Sequence, residues 1–99
     1  MALKTLNIEK ALIDGELVAA ADGKTRALVN PATGGAGETV PECSVEDINR
    51  AVAAAKRAFD DGRWTGLGPG GRAAALFKLA DLLEQHLDEL ASMESRNVG

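Results

Sequence analysis

Aromatic residues are scarce in this 99-residue sequence: one Trp, two Phe and no Tyr. Aromatic side chains carry the largest apolar area, so any core must be assembled from Leu, Val, Ile and Ala. There is one cysteine, Cys43, which excludes an internal disulfide. One cysteine and one histidine (His86) also exclude the thiolate and imidazole spacings of zinc sites. No apolar run approaches the roughly 20 residues of a membrane-spanning helix. Met1-Ala2-Leu3-Lys4-Thr5-Leu6-Asn7 lacks the apolar block of a secretion signal, so the cytoplasm is the expected compartment. Basic runs are missing too: the formal net charge is −4, with positive residues interleaved among acidic ones. Nucleic acid, which needs a concentrated positive field, is not an expected partner, and neither is a membrane.

Hydrophobic residues at 45% and charged residues at 26% describe a globular chain rather than a disordered one. The length suits one small domain, burying about two-thirds of its unfolded surface. Residues 1–10 show no period and read as a mobile end. Residues 11–41 read as a hairpin and strands. Asp14-Gly15 between apolar pairs is a tight-turn signal, Asp22-Gly23 marks a second turn, and Thr25 to Val29 reads as a strand pairing with the first element. Asn30-Pro31-Ala32-Thr33-Gly34 closes that strand, with Pro31 fixing its own φ and Gly34 free to take a positive φ. Glu38-Thr39-Val40 is a third short strand, weakened by its neighbouring glycines.

The pattern then changes period. Residues 44–61 predict a helix, opened by Ser44 and Asp47 as a capping box and closed by Asp61-Gly62. Its apolar positions are Val45, Ile48, Val52, Ala55 and Phe59. Residues 69–95 predict a second helix with Pro69 in its first turn and a stripe of Leu76, Leu79, Ala80, Leu83, Leu87 and Leu90. A short loop between two amphipathic helices favours an antiparallel pair, with Trp64 plugging its end. The fold class is α+β.

Candidate chemistry is sparse. Gly66-Leu67-Gly68-Pro69-Gly70-Gly71 matches the dinucleotide fingerprint by letter. That fingerprint works only after a strand, with the following helix aimed at the pyrophosphate; here a helix precedes it. A glycine-rich interhelical loop is the favoured reading, and a minimal nucleotide site the alternative. Cys43 lies beside a helix start, where a thiol pKa can fall, but neither it nor His86 has a catalytic partner in sequence. The residues alone describe an α+β unit with no self-contained active site; a small helical interaction module without enzymatic activity is the competing description.

The ordered segments Ile13-Asp14-Gly15-Glu16, Val29-Asn30-Pro31-Ala32-Thr33-Gly34, Val40-Pro41, Glu46-Asp47-Ile48-Asn49-Arg50-Ala51-Val52, Ala58-Phe59-Asp60-Asp61-Gly62-Arg63-Trp64, Leu79-Ala80-Asp81-Leu82-Leu83-Glu84 and Glu94-Ser95-Arg96-Asn97-Val98-Gly99 resemble the N-terminal part of the NAD(P)-dependent aldehyde dehydrogenase superfamily. The last segment is similar to the betaine-aldehyde and aminoaldehyde branch. The resemblance implies an N-terminal fragment of an α/β cofactor-binding domain, whose intact form oxidises an aldehyde to a carboxylic acid with NAD or NADP. It implies partners in the rest of the parent enzyme or in homologous subunits, the intact form being a homo-oligomer. The family's catalytic residues and main cofactor region fall beyond Gly99, so no catalytic or cofactor-binding residue is expected here and the chain alone is expected to be inactive. One family feature carries over by resemblance: a monovalent cation held by the carbonyls of Leu28 and Val29 and by Asn97, which stands where an aspartate is common. Gly35-Ala36-Gly37 departs from the family's β-branched strand, and a weakened third strand is expected.

Overall fold

Asp14 and Gly15 both take positive φ, 54° and 79°, the geometry of a two-residue turn that matches strand twist. The computed structural model, which describes residues 10–99, uses that turn to pair β1 (Ala11–Ile13) with β2 (Glu16–Val18) antiparallel. The expected end at residues 1–10 lies outside the described residues except for Lys10.

β3 (Thr25–Val29) does not join the first hairpin, contrary to the sequence expectation. It pairs antiparallel with β4 (Ala36–Pro41) in a separate two-stranded sheet. The Asn30–Gly34 turn explains the choice. The Asn30 N–H donates to the Gly35 carbonyl at 2.8 Å and the Gly34 N–H donates to the Asn30 carbonyl at 2.7 Å. The Asn30 side chain accepts from the Ala32 N–H at 2.9 Å, and Gly34 leaves the turn at φ 75°. A closed local turn feeds β3 straight back into β4.

α1 (Val45–Asp60) begins after Ser44 and ends with Gly62 at φ 71°. The face it buries is not the one with its large apolar residues. Asp47, Ala51, Ala54 and Ala58, spaced by four and three, turn inward, and Ala54 is 8% exposed. These small side chains let the helix axis approach the first hairpin, where Leu12 and Ile13 share a cavity with Ala51, Ala54 and Ala58. Arg57 reaches the hairpin turn, its guanidinium 3.1 Å from Asp14. Val45, Ile48, Val52 and Phe59 face outward, with Phe59 76% exposed.

A 3₁₀ turn, Thr65–Leu67, leads into α2 (Gly68–Gln85). Gly71 allows this turn to close on the helix, since a β-carbon there would fall 2.8 Å from Leu67 Cβ. The predicted single helix over 69–95 is bent. It breaks at His86 (ψ 19°), and α3 (Leu87–Val98) continues beyond the expected end. The cause is a second helix start: Asp88 and Glu89 occupy the first turn of α3, where carboxylates favour a helix N-terminus, and a Glu89 oxygen lies 3.4 Å from His86 Nδ1. α2 contributes no buried residue, and its stripe at Leu76, Leu79 and Leu83 stays exposed instead of closing on α1. Trp64, 44% exposed, does not plug a helix pair.

Candidate functional site

Polar side chains converge at both ends of α1, where they are structural, and in a cleft. At the start of α1 is Asp47, which is only 1% exposed. Its carboxylate accepts from the Ser44 N–H at 2.8 Å, from the Ser44 hydroxyl at 3.1 Å and from the Ala21 N–H. The Ser44 and Ala21 backbone donors hold its pKa below the ordinary carboxylate value, and Arg50 adds a smaller push in the same direction. This is the acidic half of the capping box expected from sequence. The tether to Ala21 is new and fixes the start of α1 to the chain leaving the first hairpin.

Asp61 is the counterpart at the other end of α1. The Arg63 guanidinium grips both its oxygens, and the Arg63 N–H donates to it at 3.0 Å. The Arg63 hydrogen bonds lower the Asp61 pKa and raise that of Arg63.

The cleft lies between the second hairpin and the end of α3. It has a volume of about 290 Å³ and is lined by Leu28, Val29, Asn30, Gly37, Glu38, Arg96 and Asn97. Thus Leu28, Val29 and Asn97, named together by the family resemblance, line one cleft. A β-bulge shapes it. Pairing runs from Ala27↔Thr39 to Val29↔Ala36, so Leu28 alone opposes both Gly37 and Glu38. Gly37 is what permits this, because a β-carbon there would lie 3.3 Å from the Leu28 carbonyl oxygen. The glycines expected to weaken the third strand therefore coexist with a six-residue β4, and one of them serves the bulge.

Glu38 and Arg96 face each other across the cleft at 3.3 Å, with side chains 21% and 45% exposed. Arg96 and Asn97 belong to the last turn of α3, where the helix dipole presents its negative end. Gly99 seats α3 against the turn: a β-carbon there would be 3.3 Å from Pro31 Cγ. The lining residues offer backbone and amide oxygens and one carboxylate, already paired with Arg96, and no thiolate or imidazole; among the described residues no group of three or more His, Cys, Asp or Glu side chains could hold a metal ion. The sequence reading placed Glu38 in a strand and Arg96 in the closing family-like segment without giving either a site role; the signal that brings Glu38 to the cleft is the bulge, invisible until the register is known.

The remaining sequence candidates stay apart from any site. Cys43 is an exposed free thiol, and the His86 ring sits against Glu89. The Gly66–Gly71 stretch follows α1 through the 3₁₀ turn, with no strand before it.

A family model described as the aldehyde dehydrogenase family matches residues 17–99. An aminoacetaldehyde dehydrogenase from Pseudomonas aeruginosa is 52% identical over 91 residues, covering 92% of this chain and 18% of that protein. A betaine aldehyde dehydrogenase from Staphylococcus aureus, solved in complex with NAD+, superposes with a TM-score of 0.83 at 35% identity, covering 90% of this chain and 18% of the other. A mutant aldehyde dehydrogenase from Bacillus cereus superposes with a TM-score of 0.82 at 44% identity, covering 89% and 18%. The chain thus spans about a fifth of the length of these relatives. Among the described residues, no helix is long and apolar enough to cross a membrane.

Proposed function

The chain belongs to the aldehyde dehydrogenase family, and we propose that it serves as the N-terminal segment of the cofactor-binding domain of an enzyme that oxidises an aldehyde to a carboxylic acid with NAD or NADP. The aminoacetaldehyde and betaine aldehyde relatives favour a substrate bearing an amino or ammonium group. The observation that carries the reading is the pair of uncovered helix faces. Val45, Ile48, Val52 and Phe59 on α1 and Leu76, Phe77 and Leu83 on α2 are all exposed, and only Ala20 and Ala54 are buried apolar residues among those described. Large apolar stripes at helical spacing are worth burying, at about 25 cal/mol per Å², and the rest of such an enzyme is the surface that fits them. A small interaction module would share this exposure, but it gives no account of the family match over residues 17–99.

On this reading the segment supplies scaffold and a cation cleft, while catalysis belongs to the rest of the enzyme. Leu28, Val29 and Asn97 would hold a monovalent cation whose chemistry is positional, tying the Asn30–Gly34 turn to the end of α3. The test is an assay of the chain alone for aldehyde-dependent reduction of NAD+ and NADP+. No reduction is expected; turnover by the isolated chain would sink the proposal.

A further inference from the structure

His86 belongs to two helices at once. Its N–H donates to the Leu82 carbonyl at 3.1 Å and closes α2, and its carbonyl accepts from the Leu90 N–H at 3.0 Å and opens α3. A residue that opens a helix usually offers a side-chain oxygen to the first amides, and its own amide to an acid three residues on. His86 has no such oxygen, and its amide is spent on α2. Glu89, at that third position, meets the imidazole instead, 3.4 Å from Nδ1.

The surroundings are acidic throughout. Between Lys78 and Arg96 the sequence carries Asp81, Glu84, Asp88, Glu89 and Glu94, and no lysine or arginine. Glu84 lies in the last turn of α2, and Asp88 and Glu89 lie in the first turn of α3. The end of α2 attracts an imidazolium and the start of α3 repels it, so the two dipoles largely cancel at the shared residue. The carboxylates decide the balance. Glu89 is the one held close: its side chain is 15% exposed, and its second oxygen is buried with no hydrogen-bond partner among the described residues. A carboxylate so short of water and donors gains most from a charged partner.

We propose that the His86–Glu89 pair makes the joint between α2 and α3 a proton-sensitive latch. An ionised carboxylate only accepts, so Nδ1 carries a proton in both charge states of the ring. With the ring neutral, Nδ1–H donates one long hydrogen bond. Protonation at Nε2 makes the same contact charge-assisted, and the first turn of α3 tightens. This stabilisation is present while the imidazole is charged and Glu89 is ionised. It is lost as pH rises through the range, about pH 5 to 8, in which histidine gives up its charge. α3 ends on the second hairpin, with Arg96 against Glu38 and Gly99 against Pro31, so a firmer start to the helix steadies that seat.

The experiment follows amide exchange of the 99-residue chain by NMR between about pH 5.5 and 7.5, corrected for the pH dependence of intrinsic exchange. Protection at Leu90 and Ala91 should rise about two- to fivefold on acidification, the scale of a partly exposed charge pair at a helix end. Protection in α1 should not change over the same range. Glu89→Gln and His86→Gln should each abolish the rise. Ring nitrogen shifts of the unsubstituted chain should place the neutral imidazole's proton on Nδ1, a readout that requires no variant to fold. A bare Nδ1 in the neutral ring overturns the proposal. So does a rise that is absent from the unsubstituted chain, or one that is equal in Glu89→Gln.

Discussion

The Ala21 N–H donates to both carboxylate oxygens of Asp47, at 3.0 and 3.1 Å, across 26 residues of sequence. One nearly buried carboxylate thereby serves as helix cap and as long-range tether. The Ala21 and Ser44 backbone amides among its donors remain whatever side chains those positions carry.

Asp47→Ala should release α1 from the first hairpin, because it removes the acceptor shared by Ala21 and Ser44. Hydrogen exchange at the Ala21 amide should accelerate roughly tenfold or more. Asp47→Asn keeps one acceptor oxygen and should fall between the two. Unchanged exchange at Ala21 in both variants would contradict the tether.

Acid should weaken both ends of α1. Asp47 and Asp61 both have folded pKa values below the ordinary carboxylate value. Their stabilisation is fully present above the unfolded pKa of about 3.9 and is lost as pH falls through the lowered folded values. Helical circular dichroism should therefore hold through neutral pH and decline below about pH 4. Asp47→Asn should flatten that decline, since one of the two titrating groups is gone.

Gly34→Ala should cost about 1 kcal/mol, felt in the second hairpin, because φ 75° is the left-handed region that an L side chain resists. Space is not the issue, since nothing lies within 4 Å of the position a β-carbon would take. Gly34→Asn should cost less, as asparagine tolerates that conformation. Amide exchange in β3 and β4 measures both, and an equal penalty for the two would point to something other than backbone strain.

Phe59→Ser should leave the isolated chain's stability within about 0.5 kcal/mol, because the side chain is exposed on α1. The same substitution in a full-length relative, at the matching position, should destabilise by about 3 kcal/mol if that face is buried there. Calorimetry of the isolated chain should also give a heat-capacity change on unfolding well below the roughly 1.2–1.5 kcal/mol/K of a compact domain of this length.

The parts legible in sequence were those with local causes. Asp14-Gly15 and Asn30–Gly34 carry their turn geometry in their own residues, and Ser44 with Asp47 and Asp61-Gly62 mark the ends of α1 within a residue. Family membership followed from the order of such pieces. What was not legible depended on distance or on competition. The partner of β3 is decided by which turn closes first, not by strand pattern. Periodicity found the large apolar stripe of α1, which is exposed here; that the alanine face packs inward, because small residues allow close approach, was not visible from it. Asp88 and Glu89 fell inside the single helix predicted over 69–95, yet their carboxylates occupy the first turn of another. Leu28, Val29 and Asn97 were named together by resemblance, while the bulge that brings Glu38 among them needed the register of β3 on β4.

The seating of Gly99 on the Pro31 ring bears on the order of assembly. Both hairpins and all three helices are built from near neighbours and can form early, but this contact closes a loop through most of the chain. Loop-closure entropy makes it late. The cleft beside it is therefore completed after the hairpins and helices, and anything that fills it would report on their assembly and not on the separate parts.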